Sequence, residues 1–284
     1  MMNDAPDPTR PHALMCAGKI LARADAILAG QFDLHDLFAP GRHAAPATVR
    51  QEILSEGHPL YSVEDWPIKP EAPELVLAVV HEAWEQALSY CPKYGSLLDT
   101  RPAFSDASAL VHRALEGRAP RTEGRGDADE SGEVFALVEM LVVRPFLRTA
   151  AKALLEDLSI VDWRHRRCPI RGYPPAMAIL VGDTHERLLW CQWCDTRWNV
   201  DRLGCVFCGN QDVASLRYFE TDPPSALRID VCDCCKGYIK TCDMNQLPAE
   251  TPLGLLELEL TSSGLDAAIS KRGFSPHWID GEQN

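Results

Sequence analysis

Seven of the eleven cysteines in this 284-residue chain are spaced as metal ligands would be. Cys191 and Cys194, Cys205 and Cys208, and Cys232 and Cys235 each enclose two residues. A fourth turn opens at Cys168-Pro169-Ile170 and then places Arg171 where a second thiol is expected. Two thiolates three residues apart on a tight turn, or knuckle, can occupy two corners of a tetrahedron around zinc or iron, and two such turns complete the shell. The layout is that of two four-sulfur centres, one of them lacking a ligand.

The gap from position 171 to Cys191 is 19 residues and that from Cys208 to Cys232 is 23, each long enough for a β-hairpin between knuckles. This order groups Cys168, Cys191 and Cys194 in a first centre and Cys205, Cys208, Cys232 and Cys235 in a second. A competing pairing joins Cys191, Cys194, Cys205 and Cys208, but only ten residues separate its two knuckles, which is little room for a hairpin. Arginine neither loses its proton nor binds a cation, so the first centre has three sulfurs at most. His165 or His185 could offer a nitrogen, and either could equally face solvent. An open corner filled by water would be a catalytic site; loss of one structural ligand is the plainer reading. Most four-cysteine centres only staple a small β region, and spacing does not choose between iron and zinc.

Cys234 lies too near Cys232 to share its knuckle, and Cys242 follows an expected strand; both are spare thiols beside the second centre. Cys16 and Cys91 read as packing residues. Trp190, Trp193 and Trp198 bracket the second knuckle and would shield sulfur or offer a docking face. Glu257 and Glu259, two apart on an expected helix, read as solvated charge. The sequence has no nucleophile elbow, Walker loop or dinucleotide fingerprint, so any chemistry rests in the sulfurs.

The elements that must position these thiols fall into two textures. Apolar positions at helical spacing run from Leu14 to Leu28, through Val76 to Leu88, from Asp106 to Leu115, and from Phe135 to Leu158 with Pro145 as an expected kink or break. Residues 116–132 are almost wholly Gly, Pro and charge, the composition of a mobile loop. Beyond Trp163, β-branched and aromatic segments alternate with the cysteine turns, giving expected strands at 176–181, 187–191, 198–203, 215–219, 228–231 and 237–241. Leu255 to Arg272 reads as a closing helix. The expectation is an α+β protein: a helical domain over 1–160, two small β modules over 161–204 and 205–245, and a helix and tail over 246–284.

Net charge is −13, yet residues 160–240 hold eleven Lys/Arg against ten Asp/Glu. A nucleic-acid-binding ribbon needs a cationic surplus, so nucleic acid is not the expected partner. Residues 1–11 contain no apolar run, and the apolar stretch near Val134 to Val143 is too short and too charged to span a bilayer. A cytoplasmic location, without membrane insertion, is expected.

Four ordered segments complete the signature: Cys168-Pro169-Ile170-Arg171-Gly172, Cys191-Gln192-Trp193-Cys194-Asp195-Thr196-Arg197-Trp198, Cys205-Val206-Phe207-Cys208-Gly209-Asn210, and Asp230 to Thr241 around Cys232-Asp233-Cys234-Cys235. Over roughly 163–275 the chain resembles the formate dehydrogenase accessory protein FdhE family. The resemblance implies a cytoplasmic maturation factor without turnover of its own, having two rubredoxin-like modules and binding the formate dehydrogenase catalytic subunit. It also implies iron or zinc on Cys168, Cys191, Cys194, Cys205, Cys208, Cys232 and Cys235, with one intact four-cysteine site. Arg171 departs from the pattern and leaves filling of the first site open. Two other functions compete: a structural zinc-ribbon interaction module, and a thiol or sulfur-relay enzyme using Cys234 or Cys242.

Overall fold

A computed structural model describes residues 45–61, 130–221, 225–247 and 254–276. The helices expected between Leu14 and Leu115, residues 116–129 of the expected loop, and Cys16 and Cys91 lie outside those residues. Two compact units divide the chain. In the first, the described segments are 51–60 and those from 157 onward; in the second they are 45–50, 61 and 130–156.

Helix α1 spans Ala47–Ser55 and α2 spans Glu130–Leu155. Residues 130–132, expected in the loop, therefore open α2. Pro145 stands inside α2 without ending it. Within the second unit the buried Arg50 donates from Nη1 to Ala153 O (3.2 Å) and from Nη2 to Glu156 O (3.0 Å), so a cation caps carbonyls at the end of α2.

The cysteine-bearing unit is built on one six-stranded sheet. Its strands are β1 (Met177–Val181), β2 (Glu186–Trp190), β3 (Arg197–Asn199), β4 (Leu216–Glu220), β5 (Leu227–Cys232) and β6 (Tyr238–Asp243). All six expected strands are present. The third stops at Asn199 because residues 202–204 bend toward the next knuckle, with Gly204 at φ 126°. The spatial order is β3-β2-β1-β6-β5-β4. Each half repeats one plan: a knuckle, two antiparallel strands, a second knuckle and a third strand. The halves meet where β1 pairs parallel with β6, Ile179 opposite Cys242.

Those two central strands carry the most buried sequences. Met177 to Leu180 is an apolar run buried throughout, and all six residues of β6 are buried. Arg187 of β2 spans the halves, donating to Gly204 O (3.0 Å) and to Asp230 Oδ2 of β5 (3.4 Å). On the second half, Ile229, Val231 and Tyr238 pack with Ile269 and Phe274.

The closing helix is two helices, α3 (Leu255–Thr261) and α4 (Ser263–Ser270). Ser262 divides them: its hydroxyl donates back to Glu259 O at 3.0 Å, a local bond that competes with helix continuation. Glu259 is not solvated as its spacing suggested. Its side chain is 15% exposed and its Oε1 lies 2.9 Å from Nζ of the buried Lys240, which also reaches Asp266 Oδ2 at 2.8 Å. Tyr238 donates to the other Asp266 oxygen at 2.9 Å. A buried lysine between two carboxylates thus pins α3 and α4 to β6.

Candidate metal centres

All four knuckles share one backbone plan. The amide of the leading cysteine donates to the carbonyl five residues on: Cys168 to Tyr173 (2.8 Å), Cys191 to Thr196 (3.0 Å), Cys205 to Asn210 (2.8 Å) and Cys232 to Gly237 (3.0 Å). The fifth residue of each is left-handed: Gly172 at φ 68°, Asp195 at 63°, Gly209 at 74° and Lys236 at 58°. Glycine meets this need at two positions without strain; Asp195 and Lys236 adopt it against side-chain sterics. The first knuckle keeps the whole plan although it has only one cysteine.

In the second centre, the Sγ atoms of Cys205, Cys208, Cys232 and Cys235 all lie within 4.8 Å of one another. The Cys205–Cys235 separation is 3.6 Å and the Cys208–Cys232 separation 3.8 Å. Tetrahedral bonds of about 2.3 Å put sulfurs about 3.8 Å apart, whereas a disulfide needs about 2.05 Å. The donor set therefore fits a four-coordinate ion. Backbone amides of Phe207 and Gly237 approach Cys205 and Cys235 Sγ at 3.4 Å, as expected around thiolates. Cys205 and Cys232 are buried, Cys208 is exposed and Cys235 is intermediate. Burial opposes ionisation of Cys232, but the amides of Cys235 and Cys234, aided by the Cys208 and Cys205 thiols, bring it down to about 7. Burial raises Cys205 and Cys235.

The first centre gathers Cys168, Cys191 and Cys194, again within 4.8 Å, with Cys168 and Cys194 Sγ 3.5 Å apart. All three are buried, at 0%, 1% and 3% exposure. Hydrogen bonds from the Cys168 and Cys194 thiols hold Cys191 well below the usual thiol range, and the Arg171 guanidinium adds to this. Burial raises Cys168 and pushes Cys194 up to about 12. Three sulfurs could hold an ion only with a fourth ligand. Neither candidate histidine joins the group: His165 packs its ring 4.5 Å from that of Trp163, and His185, in the β1–β2 turn, pairs with Asp243 at 3.4 Å. Arg171 is itself buried, its guanidinium 4.6 Å from the Tyr173 ring centre and 5.1 Å from that of Trp193. The competing pairing of Cys191 and Cys194 with Cys205 and Cys208 is not the one that folds.

Of the spare thiols, Cys234 is exposed beside Cys208, whose charge raises it. Cys242 is a free thiol, but it lies within β6 rather than past it, buried, and desolvation lifts it to about 11. The tryptophan face is absent. Trp190 and Trp198 are buried with their indole N–H groups donating to Asp195 Oδ1 (2.7 Å) and His165 O (2.8 Å), leaving Trp193 half-buried. Two further supports carry no local sequence signal: Leu60, fully buried, whose amide donates to Pro169 O at 2.8 Å, and Arg166, whose guanidinium covers the Cα of Gly209.

No family model matches the chain. It is 32% identical over 117 residues to the Protein FdhE homolog of Aquifex aeolicus, covering 39% of this chain and 40% of that one. The Protein FdhE homolog of Rhizobium meliloti is 27% identical over 191 residues, covering 63% and 61%. The chain thus spans less than two thirds of the length of these relatives. The crystal structure of the FdhE protein from Pseudomonas aeruginosa shares its fold, with a TM-score of 0.56 at 19% identity over 94% of this chain and 91% of that one. The chain is thus similar in sequence to several FdhE homologs and shares the fold of a solved FdhE protein along nearly its whole length.

Proposed function

We propose that this chain is an accessory factor for formate dehydrogenase that binds the catalytic subunit during maturation and has no turnover of its own. In this reading residues 161–204 and 205–245 are two modules sharing one sheet, and the second holds iron or zinc on Cys205, Cys208, Cys232 and Cys235. The supporting observation is the sulfur tetrahedron of the second centre, one of whose corners, Cys208, reaches the surface next to Cys234. Bound iron would supply one-electron redox chemistry, whereas zinc would only hold the loops. The surrounding residues bind the ion, donate N–H groups to its sulfurs and present that rim to the client. The absence of a cationic surplus supports a protein client rather than nucleic acid. Among the described residues no helix is long and apolar enough to cross a membrane, and the reading places the protein in the cytoplasm.

The test is co-purification of the catalytic subunit with the intact chain and with Cys208→Ser, alongside formate oxidation by cells lacking the native factor. Retained capture and activity in the metal-depleted variant would refute the reading. If fully zinc-loaded protein supports the client as well as iron-loaded protein, the redox role fails and the interaction-module role stands. Loss of client activity in Cys234→Ala with metal retained would instead favour a thiol relay, for which Cys234 is the exposed candidate.

A further inference from the structure

We infer that Arg171 takes over the mechanical role of a metal ion at the first centre, so that this chain carries its ion at the second centre alone. An ion in a ribbon ties two knuckles together. Arg171 leaves the first knuckle, and its guanidinium lies over Trp193, the third residue of the second, as well as over Tyr173. Stacking of a largely desolvated guanidinium on an aromatic face is among the stronger cation–π arrangements. The first knuckle keeps its hydrogen bonds, Gly172 N to Cys168 O and Cys168 N to Tyr173 O, both 2.8 Å, and its left-handed fifth residue, so the turn does not depend on a second thiolate.

Packing completes the closure. Pro59 lies against Gly172, and the Leu60 amide bonds to Pro169 O. An ion at this centre would need a fourth donor. Arginine is not one, neither histidine joins the cluster, and three sulfurs exposed by 3% or less leave little access for a solvent ligand. The guanidinium would also repel an arriving cation. The inference rests on the proposed second centre only for its expected count of one ion, and Arg171→Cys tests the first centre independently.

The experiment counts zinc per full-length chain by mass spectrometry after saturation and desalting, and follows the sulfur-to-metal absorption band on cobalt substitution. One ion is expected in the unmodified chain, lost in Cys232→Ser and kept in Cys191→Ser. Arg171→Cys should raise the count to two and roughly double the cobalt band. If Cys191→Ser does not fold, Cys194→Ala, which needs no polar partner at a buried position, replaces it. Two ions in the unmodified chain, loss of the ion in a first-centre variant, or no gain in Arg171→Cys would overturn the inference. Should the unmodified chain hold none, the metal reading of the second centre fails, while a gained ion in Arg171→Cys still supports the inference and no gain still overturns it.

Discussion

The two halves of the sheet follow one chain plan and are closed by different means. The first half buries three thiols, three tryptophans and two arginines, and the buried indole N–H groups find acceptors within the half. The second half leaves a sulfur corner exposed and is backed by α3 and α4 through the Lys240 network. The knuckle backbone is common to both, so the turn and the metal are separable: the turn follows from its hydrogen bonds and left-handed fifth residue, and the number of thiolates decides whether an ion can stay. Both halves bury apolar side chains; the first adds a guanidinium stacked between knuckles, and the second adds the Lys240 ion pairs and a four-sulfur cluster that could hold an ion.

The largest effect that would separate the halves is loss of the ion proposed for the second centre. Structural zinc contributes roughly 10–16 kcal/mol in zinc-finger peptides, so Cys232→Ser should unfold β4–β6. Hydrogen exchange should show protection lost at Ile229 and Val231 and retained at Ile179 and Leu189; uniform loss would mean that the halves are not separately held. In the opposite direction, Trp198→Ala should cost about 3–5 kcal/mol of stability in denaturant titration while leaving the metal count unchanged. Lys240→Met leaves Glu259 and Asp266 facing each other without their cation, at a cost of about 3–5 kcal/mol. Its loss should be smaller at low pH, where Glu259, whose carboxyl burial raises, protonates.

The smallest effect is at Asp212, which precedes the 213–215 turn before β4. Hydrogen bonds from the Ser215 hydroxyl and the Ala214 amide hold its carboxyl below the usual range. A carboxyl lowered in the folded state stabilises above its unfolded pKa, and that contribution is lost as pH falls through the folded value. Asp212→Ala should therefore flatten the acid limb of the stability profile below about pH 4, measured by thermal unfolding, and leave the neutral plateau only slightly lower.

How much of this was legible beforehand differs residue by residue. The six strands could be read because β-branched and aromatic runs sit between turns whose cysteine spacing and glycines are local signals. Of the two outcomes open at Pro145, a kink or a break, the break does not occur: α2 continues through the proline. The burial of Glu259 and Cys242 is not local: Glu259 pairs with Lys240, 19 residues away, and Cys242 lies on a strand at the centre of the sheet, paired with β1.

Sequence alone determined the knuckles, their order and the missing thiol at position 171, since each depends on neighbours within six residues. Spacing also favoured the grouping of knuckles that the structure adopts; tertiary structure alone decided that both halves form one sheet and that Arg171 stacks on Trp193. Those are contacts between segments distant along the chain, and they are selected by burial and hydrogen-bond satisfaction, which no local pattern records.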